Sequence, residues 1–279
     1  MLHMKTPANR KRLIEEENNE NPQSLSQRQE NNLASASDSA PETKSTNRVS
    51  YSTSSQSSTN IPIAIASILP ETQSFAANNT DLETWRAAQQ RILLEPFVYL
   101  TQQRGKEIRS KLISAFDFWL RVPPAKLKVI SEIVEMLHTA SLLIDDVQDN
   151  SELRRGIPVA HKIYGIASAI NSGNYVYFLA LKKASTLAIP EILDIFSDEL
   201  INLHKGQGME IHWRDNAICP TEAEYLQMVS NKTGGLLRLA VRMMQAASSV
   251  KDGNFVHLVD KLGIHFQMRD DYLNLVSQE

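Results

Sequence analysis

One cysteine, Cys219, stands among 279 residues. No intramolecular disulfide can form, and a thiolate zinc site lacks its ligands. Such a chain is expected in a reducing compartment. Arg10-Lys11-Arg12 is followed at once by Glu15-Glu16-Glu17, unlike an acid-poor transit peptide, so the expected location is cytoplasmic. Long apolar runs are also missing. The stretch from Ile61 to Leu69 is interrupted by Pro62 and falls well short of the roughly 18 residues of a membrane span, so no transmembrane segment is expected. Neither charge sign dominates, with 29 Lys+Arg against 32 Asp+Glu and a net charge of −3. That balance excludes nucleic-acid binding through bulk positive charge. With only 10 glycines, turn-bounded strand alternation is scarce.

Composition breaks near residue 80. Between Asn18 and Asn60, 27 of 43 residues are Ser, Thr, Asn or Gln, with no Trp, Phe, Ile or Met. Such a segment cannot bury enough apolar surface to offset its ordering entropy, so residues 1–80 are expected to be a disordered tail. Residues 81–279 read as one helical domain. Helices are expected from Asp81, with Leu82, Trp85, Ile92 and Leu93 and an interruption near Pro96, then over Lys106–Leu120 and Ala125–Asp149. Others are expected over His161–Ala188, Pro190–Arg214, Thr221–Ser249 and Asn254–Leu275, with a loop from Asn150 to Pro158. Helices joined by short loops make an all-α antiparallel bundle. Met209, Met228, Met243 and Met244 are expected core fillers.

Two acidic helix faces depart from the core pattern. Asp145 and Asp149 are four residues apart, on one line with His138 and Leu142, directly after Ser-Leu-Leu-Ile. Paired carboxylates there repel unless a cation lies between them, and one such pair alone reads as the solvated end of a buried helix. A second face, Gln267, Asp270 and Asn274, follows 125 residues later, and two such faces can converge across a bundle core. All these donors are hard oxygens, which favours magnesium over zinc and implies a phosphorylated substrate that shares the metal. Cationic groups are available nearby: Lys106 and Arg109, Arg154-Arg155, and Lys232 before Thr233. His138 reads either as a diphosphate donor or as a core histidine. His161, His204 and His265 read as packing residues.

Gly-Lys-x-x-Arg at 105–109, Asp-Asp-x-x-Asp at 145–149 followed by Arg154-Arg155, Gly206-Gln207-Gly208, Lys232-Thr233 and Phe266-Gln267-x-Arg269-Asp270-Asp271 occur in one order. Together they resemble the trans-isoprenyl diphosphate synthases, most closely the geranylgeranyl diphosphate synthases of fungi and animals. The resemblance implies the isoprenoid-synthase helical fold and a homodimer. It implies condensation of an allylic diphosphate, farnesyl diphosphate here, with isopentenyl diphosphate by metal-assisted ionisation. Asp145, Asp149 and Asp270 would bind magnesium, three ions with substrate present. Arg154 and Lys232 would hold the allylic diphosphate, and Lys106, Arg109, His138 and Arg155 the isopentenyl diphosphate. Lys232, Thr233 and Gln267 would act at the reacting centre. Ala140, Ser141, Tyr177, Phe178 and His204 would line the chain-length pocket, so that Phe at 140 or 141 shortens the product. Two departures stand out. Asn274 replaces a common Asp, and the chain stops at Glu279, eight residues past Asp271, where relatives continue with a Lys-bearing loop. A truncated synthase domain is therefore expected. A non-catalytic regulatory subunit and a class I terpene cyclase are the rival readings. The cyclase reading lacks its Asn/Asp-x-x-Ser-x-x-x-Glu motif.

Overall fold

A computed structural model describes residues 80–276, apart from 103, 104, 106, 251 and 252. Residues 1–79 of the expected tail and Lys106 lie outside these described residues, while Thr80 opens the first helix. Nearly all regular structure is helical: α1 (Thr80–Thr101), α2 (Ile108–Leu120), α3 (Pro124–Gln148), α4 (Ala160–Tyr164), α5 (Ile166–Ser185) and α6 (Glu191–Asn216). These are followed by α7 (Glu222–Val229), a π-turn (Ser230–Gly234), α8 (Gly235–Ala247) and α9 (Val256–Val276). No helix among the described residues is long and apolar enough to cross a membrane.

Local chemistry sets most boundaries. Arg121 adopts a left-handed conformation after α2, and Pro124 opens α3, where its missing N–H costs nothing. Thr221 and Glu224 form a capping box at the start of α7. Three expectations change. The helix expected over His161–Ala188 is broken at Gly165, whose φ of 83° a helix cannot carry. The one expected over Thr221–Ser249 is interrupted by the π-turn. The loop after α3 contains a short antiparallel hairpin, β1 (Leu153–Arg154) with β2 (Ile157–Pro158). Its two turn residues, Arg155 and Gly156, have φ of 55° and 81°, as a primed two-residue turn requires.

The core is built around α3 and α8. Ile130, Ile133, Met136, Leu137 and Leu143 of α3 are buried beside Leu239, Ala240, Val241, Met243 and Met244 of α8. Buried on most of its surface, α8 is the central helix. Against expectation, α1 runs through Pro96, and Leu82, Trp85 and Ile92 are exposed while Leu94, Phe97 and Leu100 face the core. Met209 is likewise exposed, and Cys219 is a free, exposed thiol.

Candidate functional site

The acidic end of α3 is organised by the hairpin after it. Asp146, 1% exposed, turns into the protein and accepts Arg154 Nε at 2.9 Å, with Arg154 Nη2 on the same oxygen. The primed turn folds the hairpin back, and Ser151 N donates to the Asp146 carbonyl at 3.0 Å. Arg154 is thereby engaged by the middle aspartate. Asp145 and Asp149 remain together on the adjoining face. Burial, with Asp149 and Asp146 close by, pushes the Asp145 carboxyl up to about 6, against the pull of Lys232 and Arg154. Asp149 accepts Arg214 Nη1 of α6 at 2.7 Å.

One or two turns back along α3 lies a cavity of about 550 Å³, lined by Arg109, His138, Arg154, Arg155, Glu135 and Asp270 among others. Arg109 Nη1 lies 2.9 Å from His138 Nε2. A guanidinium can only donate, so His138 accepts as a neutral ring with its proton on Nδ1. Burial, then the charges of Arg109, Arg155 and Arg154, lowers this histidine to about 3. In this arrangement the ring orients Arg109 and keeps Nδ1–H as its donor. Burial and Arg155 also lower the Arg109 guanidinium, and its Nε has no hydrogen-bond partner. Gly105 keeps this wall thin, since a Cβ there would lie 2.8 Å from Arg155 Nη2. Three guanidinium groups around one cavity, one with an unused buried N–H, make a receptor for a multiply charged anion.

The third part is the π-turn, a form that concentrates at functional sites. It is pressed onto α6, where a Cβ at Gly206 would lie 2.4 Å from Lys232 N. Lys232 pairs with Glu210 of α6. The Thr233 hydroxyl donates to Gln267 Oε1 at 2.5 Å, and Gln267 Nε2 donates to Asp271 at 2.8 Å. Asp271 also accepts from Tyr225 at 2.5 Å, and burial with that carboxylate raises the phenol to about 12. Asp271 is thus occupied within the protein. Asp270, its carboxylate 63% exposed, faces the basic cavity. Asp145 and Asp149 do not line that cavity; along α3 they stand beyond Leu142, which does. Asn274 is exposed.

The expected chain-length residues separate. Tyr177 is half-buried, and burial and the nearby Asp145 carboxylate raise its phenol. Its ring meets His204 edge-on at 5.9 Å, and His204 Nδ1 lies 2.8 Å from the Leu200 carbonyl. Ser141 is half-buried on the Asp145 side of α3, whereas Ala140 is fully enclosed in the core against α5. Phe178 is 70% exposed in the single chain, one residue and about 100° around α5 from Tyr177. Glu210, Arg214 and Tyr225 are not legible in the sequence, because each meets the site through a partner on another element.

Among the described residues no three His, Cys, Asp or Glu side chains group closely enough to hold a metal by themselves. Any metal here would complete its shell with substrate oxygens and water. Residues 90–279 match the family model described as polyprenyl synthetase. A geranylgeranyl pyrophosphate synthase of Mucor circinelloides f. lusitanicus is 58% identical over 199 residues, 71% of this chain and 65% of its own. Those of Apiospora sacchari and Aspergillus flavus are 57% and 53% identical, over 67% and 82% of this chain. The chain spans 56% and 64% of their respective lengths. The motif order, the helical bundle and the family match agree, and the chain belongs to the polyprenyl synthetase family.

Proposed function

We propose that the protein joins an allylic diphosphate, farnesyl diphosphate, to isopentenyl diphosphate, yielding geranylgeranyl diphosphate. The observation that carries this reading is the cationic cavity beside an acidic helix end: one pole suits a diphosphate directly, the other suits a diphosphate through a metal. Arg109, oriented by His138, would hold isopentenyl diphosphate together with Arg155 and Lys106. Lys232, beside Asp145, would steady the departing diphosphate. The Thr233 hydroxyl hydrogen is committed to Gln267, leaving its oxygen lone pairs to face the allylic cation.

The residues present fit a divalent metal. The donors are hard oxygens, and Asp145 is an incompletely compensated carboxylate. Asp145, Asp149 and Asp270 would hold magnesium. When bound, magnesium stabilises negative charge developing on the leaving diphosphate. The apolar wall below Asp145, with Tyr177 and His204, would shield the cation from water and limit chain growth. The exposed side of α5 and α6, where Phe178 is 70% and Ile201 54% exposed, supports a second copy of this chain as partner. The single exposed cysteine supports a reducing compartment, the cytoplasm.

The test is incubation of the purified chain with magnesium, farnesyl diphosphate and labelled isopentenyl diphosphate. Label in geranylgeranyl diphosphate is expected. A cyclic hydrocarbon, or incorporation only when an active synthase is added, overturns the reading in favour of a cyclase or a regulatory subunit.

A further inference from the structure

Behind the π-turn lies a charged knot that none of the roles above employs. Arg238 of α8 is 8% exposed, on a helix whose neighbouring residues Leu237, Leu239, Ala240 and Val241 are buried and apolar. Its Nη1 donates to the Ser230 carbonyl at 2.8 Å, with Ser230 Oγ at 3.0 Å and Asp260 Oδ1 at 2.6 Å. Its Nε and Nη2 reach Glu199 Oε2 at 3.2 and 3.1 Å. Ser230 Oγ in turn donates to Asp260 at 2.6 Å, and Arg242 Nη1 donates to the other Glu199 oxygen at 2.7 Å. Space is made by glycine: a Cβ on Gly234 would lie 2.8 Å from Arg238 Nη1, and one on Gly263 would lie 2.7 Å from the Gly234 Cα.

Charges buried in this way stabilise a fold poorly, because desolvation offsets most of the Coulomb attraction, and apolar residues of similar volume often do as well. What an apolar residue could not do is hold Ser230. Ser230 opens the π-turn, two residues before Lys232 and three before Thr233. A π-turn bonds i to i+5 where the flanking helix bonds i to i+4, so at the junction a carbonyl is open to an outside donor that fixes the register. Arg238 supplies one at the first residue, and Glu199 on α6 and Asp260 on α9 fix the guanidinium from both sides.

We propose that Arg238, clamped by Glu199 and Asp260, is a positioning residue that holds the Ser230–Gly234 π-turn in register and so aims Lys232 and Thr233 at the allylic substrate. The inference rests on the function proposed above. It acts through backbone geometry and touches no reacting atom.

The test compares R238M, R238K, K232A and the R238M/K232A double variant by steady-state kinetics, thermal melting and amide hydrogen exchange. R238M is expected to lower kcat by about 10- to 100-fold, the cost of an ångström-scale misplacement. KM for isopentenyl diphosphate, held at the other pole, stays within about twofold. Exchange should quicken in the peptide covering residues 228–236 and remain unchanged in α3. The double variant should lose less than the product of the two single losses, because part of the Arg238 effect runs through Lys232, and R238K should fall between R238M and the parent. If the two losses multiply, if kcat is unaffected, or if exchange quickens throughout the bundle, the proposal is overturned. Should R238M fail to fold, E199Q and D260N loosen the same clamp and must show the same local exchange and the same split. If the parent chain shows no turnover with allylic diphosphates, the functional reading falls, while the exchange comparison still decides whether Arg238 orders the turn.

Discussion

Arg214 Nη1 donates to Asp149 Oδ1 at 2.7 Å, while its Nη2 donates to the Gln148 carbonyl at 3.1 Å. The last aspartate of the first acidic face is therefore already partnered by a cation from α6. A metal ion approaching Asp149 has to displace or share that guanidinium. The pair is largely solvent-exposed, 44% and 40%, so its own contribution to stability is under about 1 kcal/mol.

From this competition, R214Q should bind magnesium more tightly. The expected change is a two- to fivefold lower half-saturating concentration, roughly the 0.4 to 1 kcal/mol such a pair can hold back. Titrating magnesium while following the fluorescence of the adjacent Trp213 checks this, with a melting temperature near that of the parent. Weaker binding in R214Q would instead make Arg214 an orienting partner of Asp149.

Why the first acidic face is readable from sequence and Arg214 is not follows from distance along the chain. Asp145 and Asp149 are set on one side of α3 by a four-residue spacing, which the sequence carries directly. The i+7 line back to His138 is equally local and leads straight to the basic cavity. Arg214 is 65 positions from Asp149 and Arg238 is 39 from Glu199, and nothing local marks either as a partner. The hairpin carrying Arg154 is too short to show a period of two, so only its Arg155-Gly156 turn leaves a trace. The π-turn was hidden because Asn231-Lys232-Thr233-Gly234-Gly235 sits inside a helical pattern and departs from it by a single residue of register.

The Asp146–Arg154 pair predicts a strongly coupled stability effect. Asp146 is 1% exposed, with one oxygen already lacking a hydrogen-bond partner. R154M leaves a buried carboxylate uncompensated and should lower unfolding free energy by about 3 kcal/mol. Replacing both residues, Asp146→Leu with Arg154→Met, should recover most of that loss. Urea denaturation of the two single variants and the double variant measures it; purely additive losses would mean the pair is not energetically coupled.

The proposed chain-length pocket gives different predictions for two neighbouring small residues. Ser141 lies one turn before Asp145 on the same side of α3, half-buried, with its hydroxyl donating to the His138 carbonyl at 2.9 Å. S141F should fill the space below the aspartate and shift the main product to a shorter chain. Ala140 faces α5 in closed packing, with the Gly173 backbone behind it. A140F should cost about 1 to 3 kcal/mol of stability by overpacking and change product length little. Product chromatography with melting curves separates the two. A shorter product from A140F with S141F silent would put the pocket on the other side of α3.

His138 and Asp145, two turns apart on α3, titrate in opposite senses. The histidine falls from 6.5 to about 3, so between those values the unfolded chain binds a proton that the folded chain refuses. Its contribution therefore rises with pH across that window and is lost as pH falls below 6.5. The aspartate rises from 3.8 to about 6, so the folded chain binds the extra proton, and this contribution, full below 3.8, is lost as pH rises through 6. Taking pH from 7 to 5 without metal, the histidine costs about 2 kcal/mol and the aspartate restores about 1. The parent protein should lose only about 1 kcal/mol over that range. H138Q keeps an acceptor for Arg109 but cannot titrate, so it should gain about 1 kcal/mol on the same acidification, whereas D145N should lose about 2. Urea denaturation in EDTA at the two pH values measures all three, and parallel pH curves would mean that neither group is perturbed as its surroundings dictate.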